Sequence, residues 1–238
     1  MADLLSLLTL VICFASILTL MKCFGKNGLF VYSTIALIIS NIQVLKLTKY
    51  TWIENPVALG TVVFSTIFAV DNILTEYFGA KEAKKCVWMS FAGYLFFVLV
   101  MKIATLHPFV EYPECINLHQ EMDDIFSPSF PLFVSSIASY ITSQQVDIHV
   151  FSGLKKLARG KHLWSRSLTS MVISTFVDNF VFSVLAWMVF ANHPVSWSSL
   201  WNTYIFVSYL VRLIIAALCV PLVRLARVFR GNDDVQEL

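Results

Sequence analysis

Hydrophobic residues in this chain run in long blocks, where a soluble helix would show polar residues recurring every turn. Seven blocks are each about 17–25 residues long, the length an α-helix needs to cross the hydrocarbon core of a bilayer. They cover residues 4–21, 29–45, 57–78, 87–106, 130–154, 167–192 and 200–225. The pattern predicts an all-α fold, a polytopic membrane helix bundle of seven spans forming a single domain over residues 1–238. The first block has the length of a signal sequence. Met1-Ala2-Asp3 brings no positive charge, however, and no clean small-residue cleavage site follows, so the block is expected to be retained. The longest connection, roughly 107–129, contains Pro108, Pro113 and Pro128 and too few apolar residues for a core of its own. The polar residues 231–238 read as a flexible tail.

Polar residues interrupt these blocks at helical spacings. In the third, Asp71 stacks over Thr75 and Asn72 over Glu76, giving two adjacent polar stripes on a helix otherwise built of Val, Phe and Ile. In the fifth, Tyr140, Gln144, Asp147 and Phe151 share one face, with Gln145 beside it and His149 near the end. In the sixth, Ser170, Ser174 and Asp178 are four apart, with Asn179 adjacent. In the seventh, Tyr204, Ser208 and Arg212 form a matching stripe. Each has a structural reading: amides glue membrane helices together, small hydroxyls allow close approach, and a carboxylate near a helix end can cap or snorkel.

The carboxylates resist that reading. An aspartate at the centre of a spanning helix costs roughly 2.5–3.5 kcal/mol on insertion scales, so Asp71, Glu76, Asp147 and Asp178 are candidate functional groups. Arg212 is the one basic residue deep in a comparable block, and it is expected to pair with one of them. A bundle with more buried acids than bases suits a cationic or amine-rich ligand, or protons, and points to transport. The substrate-binding candidates are Asp71, Asn72, Glu76, Tyr140, Gln144, Gln145, Asp147, Asp178 and Asn179; the gating or charge-pairing candidates are Arg166 and Arg212.

Composition supports a membrane protein: 58% of residues are hydrophobic and 13% charged, against about 25% charged in soluble domains. With the amino terminus outside, thirteen of the 17 Lys and Arg residues fall in cytoplasmic loops or the tail. The segment 107–127 carries five acids and no Lys or Arg, as an external loop should. Trp52, Trp197 and Trp201 then line the outer interface, Trp88 and Trp164 the inner one. The cysteines lack a CxxC pair and read as packing residues, so no metal or other cofactor is expected. There is no basic tail to suggest a nucleic-acid partner, and no GxxxxGK[ST] loop for ATP hydrolysis by this chain. No GxSxG motif and no Gly-x-Gly-Asp around the aspartates point to an intramembrane hydrolase.

Two stretches carry a family likeness. Asp71-Asn-Ile-Leu-Thr-Glu76-Tyr-Phe-Gly79 is one; the other is Ser143-Gln144-Gln145-Val-Asp147, continuing through Trp164-Ser-Arg166 to Asp178-Asn179. Together they resemble the queuosine-precursor transporters, also called the vitamin-uptake-transporter family. The resemblance implies an inner-membrane importer of 7-deazaguanine bases (queuine or its cyano or aminomethyl precursors) for tRNA modification. It also implies a fold similar to the substrate-binding subunits of energy-coupling-factor vitamin transporters, with six spans in the shared core as an alternative count. Carried over by motif, Asp71, Glu76, Gln144, Asp147, Arg166 and Asp178 occupy the family's polar positions, whereas Asn179 departs from the expected Thr. Glu76 and Asp147 are then expected as primary contacts, with Asp71 and Asp178 supporting them. Three other readings stay open: a binding subunit that needs a separate ATPase module, an intramembrane enzyme, and a passive cation channel.

Overall fold

The protein is described by a computed structural model covering residues 1–53, 55–108, 116–126, 130–191 and 193–229. Its elements in chain order are α1 (Ala2–Gln43), β1 (Leu47–Thr48), β2 (Val57–Ala58), α2 (Thr61–Tyr77), α3 (Ala80–Leu106), α4 (Ile116–Phe126), α5 (Phe130–Leu157), α6 (Leu163–Val189) and α7 (Trp197–Phe229). A π-helical turn, Leu185–Val189, ends α6, and a second, Leu200–Ile205, lies near the start of α7. Among the described residues the regular structure is helical apart from a two-residue ladder, in which Leu47 faces Ala58 and Thr48 faces Val57.

The first two apolar blocks form the two arms of α1, broken at Gly25, whose φ of 57 and ψ of −136 are not helical. Glycine alone takes that combination without steric cost. Beyond the break the arms are in backbone contact: a Cβ on Gly28 would sit 2.1 Å from the carbonyl oxygen of Leu20. Gly28→Ala is therefore expected to push the arms apart and to destabilise the protein by about 1–3 kcal/mol, the usual range for overpacking. Thermal melting of the purified variant checks this, and an unchanged midpoint would contradict the close approach.

The third block starts later than its hydropathy suggests. Val57 and Ala58 pair with the preceding loop, and α2 begins only after Gly60, which is pressed against α1 with its would-be Cβ 2.2 Å from the Ser40 carbonyl oxygen. The loop is fastened to the start of α1, where the Ser6 and Tyr50 hydroxyls are 3.2 Å apart and the Thr51 amide donates to Asp3 at 3.3 Å. The sixth block starts earlier than expected, so Arg166 lies inside the first turns of α6. The long connection after α3 contains α4, which rests on α3 with the Phe97 and Phe126 rings 6.0 Å apart. The remainder of that connection (109–115 and 127–129), the tail 231–238 and Cys115 lie outside the described residues.

α2 is the centre of the bundle. It touches α1, α3, α5, α6 and α7, and every residue from Ser65 to Thr75 is buried. Around it, α1, α3, α6 and α7 are each long and apolar enough to cross a membrane. They turn large apolar side chains outward: Val11 on α1, Phe96 on α3, Ile173 on α6 and Leu218 on α7 are all exposed. Trp52, Trp88, Trp164, Trp197 and Trp201 are exposed as well. This is a multi-pass helical membrane protein. α2 is shorter, at 17 residues, and α5 carries the Ser, Gln, Asp and His residues that lower its hydropathy; these two helices hold most of the candidate site.

Candidate functional site

The four polar stripes meet inside the bundle, because a polar stripe on a helix in hydrocarbon finds partners only against other helices. On α2, Asp71 and Asn72 are 1% and 0% exposed; on α5, Gln144 and Asp147 are both 0%. Tyr140, Phe151, Ser170, Ser174, Asp178 and Asn179 are buried too.

Three levels follow the bundle axis. At one end Glu76 is held by Arg166 in a two-pronged ion pair, Nη1 to Oε2 at 3.0 Å and Nη2 to Oε1 at 3.2 Å. Planar guanidinium and carboxylate match in this geometry, which makes such pairs among the strongest charge-assisted bonds. Arg166 also donates to the carbonyls of Lys161 (2.9 Å) and Gly160 (3.1 Å) and lies over the Phe151 ring at 5.2 Å. Lys155 completes the cluster, 3.2 Å from Glu76 Oε2 and donating to the Glu76 carbonyl at 2.7 Å.

Twelve residues along α6 from Arg166, about 18 Å at 1.5 Å per residue, a second ion pair closes the bundle. Arg212 Nη1 donates to Asp178 Oδ2 at 2.6 Å, and the Ser143 hydroxyl donates to Oδ1 at 3.3 Å. The Arg212 guanidinium stacks over Phe64 at 5.4 Å, and Phe64 in turn meets Tyr140 edge to face at 6.4 Å.

Between the pairs the polar groups are only partly satisfied. Asp147 accepts hydrogen bonds from Ser170 and Ser174 on Oδ1, while its Oδ2 has no partner. Both oxygens of Asp71, both polar atoms of the Gln144 amide and the Tyr140 hydroxyl are buried without a partner. Asp71 lies close enough to Asp147, Cys86 and Tyr140 to interact with them electrostatically. Leaving such a group bare costs about 1–3 kcal/mol, more when it is charged. Six such atoms lie on α2 and α5: two on Asp71, two on Gln144, and one each on Asp147 and Tyr140.

Some expected contacts are otherwise engaged. Asn72 donates to the Ser167 hydroxyl at 3.0 Å and accepts from Ser170 at 3.4 Å, joining α2 to α6. Asn179 donates to the Ile205 carbonyl at 2.7 Å, in the π-helical turn of α7, where widened winding disturbs the regular backbone pairing. Gln145 is only half-buried, although its Nε2 also lacks a partner. His149 is exposed; it donates from Nδ1 to the Gln145 carbonyl at 2.6 Å and accepts from Lys84 at 3.2 Å. In the sequence Lys155 reads as one of a loop's positive charges. Its spacing of four from Phe151, on the same face as Asp147, is the signal that pointed inward. Phe64, which meets Arg212, carries no such signal in a run of apolar neighbours. Among the described residues no group of three or more His, Cys, Asp or Glu side chains is placed to hold a metal ion.

Residues 58–226, which include every group just described, match a protein family described as "Putative vitamin uptake transporter". The chain is 29% identical over 227 residues to a Bacillus subtilis (strain 168) protein named "Probable queuosine precursor transporter", spanning 94% of both chains. A Haemophilus influenzae (strain ATCC 51907 / DSM 11121 / KW20 / Rd) protein of the same name is 26% identical over 157 residues, 66% of this chain and 62% of that one. No solved structure matches the chain.

Proposed function

Because the chain belongs to the vitamin uptake transporter family, we propose that it imports queuosine precursors, as 7-deazaguanine bases, across the bacterial inner membrane; two similar proteins are named as probable queuosine precursor transporters. The observation that carries this reading is the set of orphaned polar atoms on Asp71, Gln144, Asp147 and Tyr140 between two closed ion pairs. A deazaguanine presents a ring N–H and an exocyclic amine side by side, two donors that one carboxylate accepts together. Asp71 and Asp147 are the acceptors, the Gln144 amide reads the ring carbonyl and a neighbouring nitrogen, and the Tyr140 hydroxyl supplies a further bond. An aminomethyl precursor brings a positive charge that the second carboxylate neutralises. Glu76 is assigned to closure, since Arg166 already occupies both its oxygens.

Transport then follows alternating access around a midplane site of a seven-span bundle, with the amino terminus outside and the carboxyl terminus cytoplasmic. The Asp178–Arg212 pair closes the outer side and the Glu76–Arg166–Lys155 cluster the inner side. The experiment is uptake of radiolabelled precursor into proteoliposomes of the purified chain, with and without a pH gradient, in competition with guanine and queuine. Saturable uptake blocked by queuine at concentrations at least tenfold below those needed of guanine is expected. Binding without uptake would instead indicate a subunit awaiting an ATPase module, and no binding would rule out a deazaguanine substrate.

A further inference from the structure

The Glu76 end of the bundle carries a groove apart from the midplane residues. It has a volume of about 430 Å³ and opens between the end of α2, the start of α3 and the end of α5. One wall carries Lys155, Lys156 and Arg159 from α5 and the turn after it. Lys156 and Arg159 are exposed, with no carboxylate partner among the described residues. Gly79 and Ala80, at the amino terminus of α3, line the groove as well. That helix has no side-chain cap; its first backbone bond inside the helix is made by the Glu82 amide, to the Gly79 carbonyl at 3.1 Å, which leaves the Ala80 and Lys81 amides free to donate. Glu82, the acid of that first turn, is paired with Lys26 at 3.6 Å. Thr75 also lines the groove; it is only 3% exposed, and its hydroxyl is buried without a partner.

We propose that this groove binds a phosphate group. Free amides at a helix terminus, the positive end of its dipole, two unpaired cations and an orphaned hydroxyl together form a set of donors with no acceptor of their own, which a tetrahedral oxyanion complements. Lys155 belongs to this groove and also to the Glu76 cluster, so a phosphate bound here competes with Glu76 for the same ammonium. The phosphate is either free in solution or the headgroup of an anionic lipid, a ligand that basic pockets between membrane helices bind.

The test uses the full chain purified in maltoside, with inorganic phosphate titrated by calorimetry at low salt and phosphatidylglycerol binding counted by native mass spectrometry. The comparison is the double variant Lys156→Gln/Arg159→Gln, whose exposed positions leave the fold intact; a wild-type melting midpoint verifies this. At least a tenfold weaker binding of one or both probes by the variant is expected. Loss of phosphate binding identifies a soluble ligand; loss of lipid adducts alone identifies the headgroup. Failure of the wild type to bind either probe, or equal binding by the variant, would overturn the proposal.

Discussion

Uptake by Asp147→Asn is expected to fall at least tenfold, and by Asp71→Asn/Asp147→Asn to background, with protein in the membrane at wild-type levels. Asparagine keeps the volume and the oxygen that Ser170 and Ser174 address, so packing and the α5–α6 contact survive. What is lost is the second carboxylate oxygen, an acceptor buried without a partner, which asparagine replaces with an amide donor. A hydrogen bond to a charged group is worth about 1.5–3 kcal/mol, and each 1.4 kcal/mol is tenfold in affinity. Radiolabelled uptake in cells, paired with binding to the purified variants, measures both parts. Full uptake by Asp147→Asn and by the double variant would move the substrate site elsewhere.

Arg212→Leu is expected to destabilise the protein by about 3–5 kcal/mol, the range for removing one partner of a buried ion pair. Asp178 is buried and Arg212 nearly so, and the Ser143 hydroxyl at 3.3 Å is the other contact the Asp178 carboxylate retains. The cost comes from stranding that carboxylate in a medium that solvates charge poorly. Adding Asp178→Asn removes the stranded charge, so Asp178→Asn/Arg212→Leu is expected to recover at least half of the loss. Thermal melting in one detergent across the wild type, both single variants and the double variant gives the coupling. Additive losses would show that the two residues do not depend on each other.

The helices were legible because hydrocarbon permits so few arrangements of backbone: an apolar block of spanning length is a helix. Gly25 separated the first two blocks, and the stripe from Tyr140 to Phe151 is buried along its length as its spacing implied. Boundaries were less legible where polar contacts set them. Val57 leaves the helix to join the loop ladder, and Arg166 joins one because its guanidinium reaches carbonyls of the preceding turn. The candidate site was legible as a set of residues and not as a set of bonds. Spacing along one helix says which side chains share a face, but not which face across the gap will meet it. Asp178 and Glu76 look alike in sequence to Asp71 and Asp147. Only the packing of α6 and α7 shows that the first two are neutralised by arginines while the second two are not.

The enclosure of α2 also bears on how the chain is made. This helix leaves the ribosome before α5 and α6, which supply the partners of Asn72 and Glu76 some 80–100 residues later. It has no lipid-facing side of its own in the finished bundle. At first insertion it must therefore face the bilayer or the translocon with Asp71, Asn72 and Glu76 unmatched, sheltered at most by the arms of α1 and by α3. Chains that end before α5 leave these polar groups without the partners they have in the finished bundle, and assembly is complete only when the second half of the sequence closes around a helix from the first.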